Sequence, residues 1–127
     1  MGILFLPATL VAALVLGLAG VEAPGTAGGS GWEADAMRWM LTLPLGWMLV
    51  VSGFMHTVLA RKTAAGIGWE TSPFQYELGF VSFGMGIAGI VSAYLGTDAW
   101  IPLAIISTVF LAIPIRANNS FLSRSTR

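Results

Sequence analysis

Three side chains in this sequence carry the donors, acceptors and titrating groups that chemistry needs, and all three lie in apolar surroundings: His56, Gln75 and Glu77. His56 is the only histidine. Glu77 closes the stretch Ser72-Pro73-Phe74-Gln75-Tyr76-Glu77, which opens a glycine-rich apolar run. A carboxylate inside hydrocarbon is paired, functional, or both, because an isolated charge there is costly. An imidazole and a carboxylate at one level can relay a proton, anchor a ligand or lock two helices together. His56 could also give a flat apolar cofactor one axial ligand or one hydrogen bond, and Ser52, one turn earlier, leaves room for its ring. One histidine cannot supply the three or four ligands of a protein metal cage, so no metal site is predicted. The absence of cysteine excludes disulfides, thiolate chemistry and iron–sulfur ligation. No nucleophile–base set is evident, so the sequence predicts no enzyme.

The elements that must position these groups are apolar helices. Only 9% of the 127 residues are charged and mean hydropathy is +0.81. A soluble domain carries about a quarter charged residues, so an ordinary water-soluble fold is excluded. The formal net charge is zero, which leaves no basic surface for nucleic acid. Four apolar stretches stand out, at residues 2–21, 37–60, 74–95 and 99–115. Each approaches the roughly 20 residues that a bilayer-spanning helix needs. The expectation is a single all-α domain, an integral membrane bundle of four transmembrane helices. The first stretch has no positive charge before it and is too long for a signal-peptide core, so it is read as a span.

Charge orients the bundle. Arg61 and Lys62 follow the second span, and Arg116, Arg124 and Arg127 follow the fourth. With four spans, five of the six basic residues share a side with both termini, which should therefore be cytoplasmic. Trp32, Trp39 and Trp100 then fall at the outer boundary and Trp69 at the inner one, as in an aromatic belt. The outer loop, residues 22–36, is glycine-rich and is expected to be flexible unless a partner holds it. The connection Gly96-Thr97-Asp98 is tight: Gly96 suits a helix C-cap and Asp98 an N-cap, which makes spans three and four antiparallel neighbours.

Ser72 and Pro73 read as a helix start, with Ser72 as N-cap and Pro73 at the first helical position. Gln75 falls at the third, where it can reach back to complete a capping box. Glu77 lies about one turn deeper. His56 lies five residues before Arg61, some ~7 Å inside the same boundary. A His56–Glu77 hydrogen bond or ion pair is thus expected, either structural or as part of a proton relay or ligand anchor. His56 shares a stripe with Gly46, Gly53 and Ala60, and Glu77 shares one with Gly84 and Ala88. Gly79, Ser82, Gly86 and Ala93 line the other side of the third span. Small residues mark faces where helices approach closely, so that span can pack within the bundle on one side and meet another chain on the other. Pro44, well inside the second span, should free the Met40 carbonyl and bend the helix.

The run Ile67-Gly68-Trp69-Glu70-Thr71-Ser72-Pro73-Phe74-Gln75-Tyr76-Glu77-Leu78-Gly79-Phe80 resembles the signature of an uncharacterised family of small bacterial four-span membrane proteins, continued here by Gly84, Gly86 and Gly89. The resemblance implies that Gln75 and Glu77 are the family's typical polar pair and that the chain belongs in a bacterial inner membrane. It implies no activity. Such families often keep a polar end to the last span, where this chain has Pro114-Ile115-Arg116. The layout also looks distantly like DoxX-type proteins.

Three functions follow as expectations. The first is a non-catalytic accessory or structural subunit of a larger membrane complex, partnered by lipid and by other subunits or copies of itself. The second is a homo-oligomeric transporter of protons or small solutes that uses His56, Gln75 and Glu77. The third is a binder of an apolar cofactor such as a quinone or pigment.

Overall fold

A computed structural model describes residues 4–26 and 31–125, with side chains to residue 112. Gly2, residues 27–30 of the expected outer loop, Arg127 and the side chains of Pro114, Ile115, Arg116 and Arg124 lie outside that description. The described residues are helical, with no strand. They form α1 (Phe5–Leu18), α2 (Trp32–Met40), a π-helical segment (Leu41–Trp47), α3 (Met48–Thr57), α4 (Ala60–Ile67), α5 (Pro73–Ala93) and α6 (Thr97–Ser125). Two helices are long and apolar enough to cross a membrane: the continuous α2–π–α3 unit, Trp32–Thr57, and α5. Shorter apolar helices cover Phe5–Leu18 and Thr97–Ala112.

Several boundaries depart from the sequence expectations. Helix α1 stops at Leu18, where Gly20 takes a left-handed φ of 67°. The Val21 N–H then reaches the Leu16 carbonyl and the Gly20 N–H reaches that of Gly17, an arrangement that satisfies carbonyls left open at the helix end. The second helix begins at Trp32, inside the loop expected to be flexible. The described part of that loop is tied down: Ala23 is buried, the Thr26 hydroxyl bonds Asp35, and the Trp39 indole N–H donates to the Val21 carbonyl at 2.9 Å. Helix α4 replaces the first half of what reads as a plain connection after Arg61, and it ends on Gly68 at φ 75° with Trp69 N–H on the Ala64 carbonyl. Ser72 has the extended backbone of an N-cap and Pro73 starts α5, but the Ser72 side chain makes no capping bond. Gln75 does not complete a capping box either, because its side chain turns inward. Asp98 lies in the first turn of α6 rather than at the cap, where a negative charge still favours the helix dipole. Gly96 lacks the positive φ of a left-handed C-cap.

Pro44 widens its helix into π geometry. Its ring excludes the usual bond to the residue four back, and wider i→i+5 bonding absorbs the mismatch, as in Met48 N–H to Leu43 carbonyl. The most extensive packing joins α3 and the π segment to α5. Along this seam the chains meet nearly backbone to backbone. A Cβ on Gly86 would fall 2.6 Å from the Val50 nitrogen, and one on Gly53 would fall 2.8 Å from the Gly79 carbonyl oxygen. Gly46, Gly79, Gly89 and buried Ser82 complete it. Leu41, Ala93, Trp100 and Leu103 form one core cluster beside this seam, with Ala88 packed against it; Met48, Leu49 and Met85 form another.

These contacts predict unequal costs for one added methyl group. Gly86→Ala must push apart two backbones and is expected to cost about 1–3 kcal/mol. At Gly84 the same methyl meets open space, so Gly84→Ala should stay within about 0.5 kcal/mol of the parent. Thermal unfolding of both variants in one detergent checks the contrast.

Candidate functional site

The seam brings His56 to Gln75. Gln75 is buried, 4% exposed, on the side of α5 that faces α3. Its amide donates to the Ala60 carbonyl at 2.9 Å and lies 3.5 Å from His56 Nδ1. An amide nitrogen only donates, so a hydrogen bond at this long contact requires Nδ1 as acceptor, with the ring proton on Nε2. The bond to Ala60 fixes the orientation of the amide, since the reverse would set two oxygens against each other. Gln75 Oε1 is consequently buried without a hydrogen-bond partner. Gly79, one turn along α5, lets His56 and Thr57 approach; a Cβ there would fall 2.7 Å from Thr57 Cγ2. The Thr57 hydroxyl donates to the Gly53 carbonyl and the Thr63 hydroxyl to that of Met55, which holds the α3–α4 turn under Gln75.

Glu77 is not part of this contact. Two residues along an α-helix turn through about 200°, so with Gln75 inward Glu77 points outward. It is exposed, and among the described residues it makes no ion pair with His56. The expected His56–Glu77 pair is corrected on that ground: Gln75 is the partner of His56. Gly84, expected to face protein with Glu77, is exposed too, and Ala88 is half-buried.

A second polar group lies at the opposite end of α5. Asp35 is buried and Arg38 nearly so. Arg38 Nε donates to the Ala93 carbonyl at 3.1 Å, its Nη1 lies 3.8 Å from an Asp35 carboxylate oxygen, and its guanidinium sits 5.3 Å from the centre of the Trp100 ring. The Trp100 indole N–H donates to the Ser92 carbonyl at 2.7 Å. Gly25, at φ 85°, packs against the Ala93 carbonyl. Asp35 and Arg38 together thus join the loop after α1, α2, the C-terminus of α5 and the start of α6. A cation beside open carbonyls at a helix C-terminus is favourable. The signal available in the sequence was Asp35-x-x-Arg38, one helical turn apart on a helix that starts earlier than the hydropathy suggests.

An apolar groove of about 380 Å³ runs between α1, the π segment and α6, lined by residues that include Leu10, Met40, Pro44, Ala104 and Leu111. His56 is not among them. The hydroxyls of Ser107 and Thr108 on its wall donate to carbonyls of their own helix. Among the described residues no three His, Cys, Asp or Glu side chains gather as metal ligands would.

Two stability measurements distinguish these roles. A double-mutant cycle of His56→Ala and Gln75→Leu is expected to show coupling of about 0.6–1.7 kcal/mol, while His56→Ala with Glu77→Gln should add to within about 0.3 kcal/mol. Arg38→Lys keeps the charge but loses the Nε donor and the planar stack on Trp100. It should cost about 1–3 kcal/mol in detergent unfolding.

No curated protein and no solved structure matches the chain. The model of a family of unknown function, DUF6790, matches residues 2–114. That match spans α1 to α5, most of α6, the seam and both polar groups, and the chain belongs to this family.

Proposed function

We propose that this protein is a four-span protein of the bacterial inner membrane, with both termini cytoplasmic, and a non-catalytic subunit that packs against another membrane protein. The observation that carries the reading is the outer face of α5. Phe80, Ile87 and Val91 are exposed along it, and Gly84 leaves a gap among them. The opposite face is filled by α3 and the π segment. Apolar side chains are exposed on α1 and α6 as well, the reverse of a water-facing surface. In the interior, Gln75 and Arg38 reach the backbone of neighbouring elements. The exposed faces are therefore the part of the molecule left to act. The transporter reading is weakened because Glu77 and His56 point to different sides of the seam. The groove between α1 and α6 favours a second reading, in which an apolar molecule such as a quinone lies there rather than at His56.

The chain has no cysteine, so single substitutions report topology cleanly. In the proposed arrangement Thr71→Cys reacts with a membrane-impermeant maleimide only after the cytoplasmic face is opened, and Gly31→Cys reacts from outside. Tagged protein extracted in mild detergent should carry a second membrane protein at fixed stoichiometry. A stable lone monomer would overturn the subunit reading.

A further inference from the structure

The turn between α3 and α4 borders an open pocket of about 250 Å³, lined by Thr57, Ala60, Arg61, Lys62 and Tyr76 among others. Its chemistry differs from every other concave surface described above. Two cationic residues line it, both exposed, and among the described residues neither is ion-paired. Tyr76 brings a phenol from the first turn of α5, able to donate one hydrogen bond. Thr57 adds no free donor, because its hydroxyl already donates to the Gly53 carbonyl. The acids at this end of the molecule, Glu70 and Glu77, are exposed and do not line the pocket. The first turn of α4 starts at the pocket, and its open N–H groups add to the positive field.

The setting narrows what anion fits. Helix α4 buries Ala60 and Ala64 against the protein and exposes Arg61 and Lys62 on another side. Ile67, its last residue, and Trp69, just past it, are also exposed, at 49% and 59%. A short helix with cations and an aliphatic side chain on its free surface, followed by an exposed indole, suits a bilayer boundary. Basic residues at that level attract anionic lipid. The tight turn that forms the pocket is itself held by Gln75 and Thr63, so the cations project from a fixed support rather than a loose loop.

We infer that this pocket seats the phosphate of an anionic lipid headgroup, with Arg61 and Lys62 as its cationic wall and the Tyr76 hydroxyl as its neutral donor. The inference rests on the membrane placement proposed above. It goes beyond that placement by assigning a headgroup class to one site.

The test uses the full chain carrying a fluorophore on Gly66→Cys, where a side chain meets open space. The labelled protein is reconstituted in phosphatidylcholine vesicles, and floatation with the vesicles is checked first. Quenching by brominated phosphatidylglycerol is then compared with quenching by brominated phosphatidylcholine. The expected preference for the anionic lipid is roughly tenfold, falling to about twofold or less when Arg61→Gln and Lys62→Gln are combined. Tyr76→Phe should lower it partway. Protein that fails to float overturns the membrane reading and this inference with it. Protein that floats but shows no preference, or whose preference survives the double substitution, overturns this inference alone. Loss of the preference on adding inorganic phosphate at matched ionic strength would assign the site to soluble phosphate and overturn the lipid assignment.

Discussion

The near contact of two backbones along the seam between α3, the π segment and α5 is the constraint on which the rest of this structure depends. Where Gly53 meets Gly79 and Gly86 meets Val50, hydrogen is the only side chain that fits. Close approach brings dispersion contacts between main chains. It also shortens the reach that polar side chains need. Gln75 can touch the Ala60 carbonyl across the seam because no larger side chain stands between. At the far end Arg38 reaches the Ala93 carbonyl in the same way. Helix α5 is therefore fastened near its start by a neutral amide and at its end by a guanidinium.

The two fastenings differ in kind. The amide holds a backbone carbonyl and an imidazole without placing a net charge in the interior. Its unbonded Oε1 is a cost, since a buried acceptor has lost its water. The guanidinium is charged and lies beside a carboxylate, a helix C-terminus and an indole face at once, though its Nη1 too is buried without a hydrogen-bond partner. Breaking such a group is far costlier than never having built it, because the surviving partner is left desolvated. That asymmetry lets Arg38 define how the loop after α1 and the start of α6 sit on the end of α5.

Much of this was legible in the residues, and the failures share a cause. Hydropathy located the apolar helices, and small residues marked the seam at Gly46, Gly53, Gly79 and Gly86. Pro73 announced the start of α5. Hydropathy is blind to helices with mixed surfaces, however, so α4 and the first turns of α2 read as loop. Gly68 is the stop signal for α4, and the alanines before it favour helix. Depth alone matches His56 to the carboxylate at a similar level, whereas rotation about α5 decides which polar residue faces inward. Depth follows from counting residues along a span. Facing depends on where the neighbouring helix lies, and no single segment contains that information.

The π segment gives one more consequence of Pro44. A helix wound with i→i+5 bonding advances through a smaller angle per residue than one wound i→i+4. Over Leu41–Trp47 that lag accumulates, so α3 leaves the segment out of phase with a straight continuation of α2. Arg38 lies before the phase shift, and Gly53 and His56 lie after it. Both groups nonetheless address the same partner, α5, from opposite ends. The segment thus acts as a phase adjuster in one continuous helix, and the azimuth of His56 is fixed by a proline some three turns away.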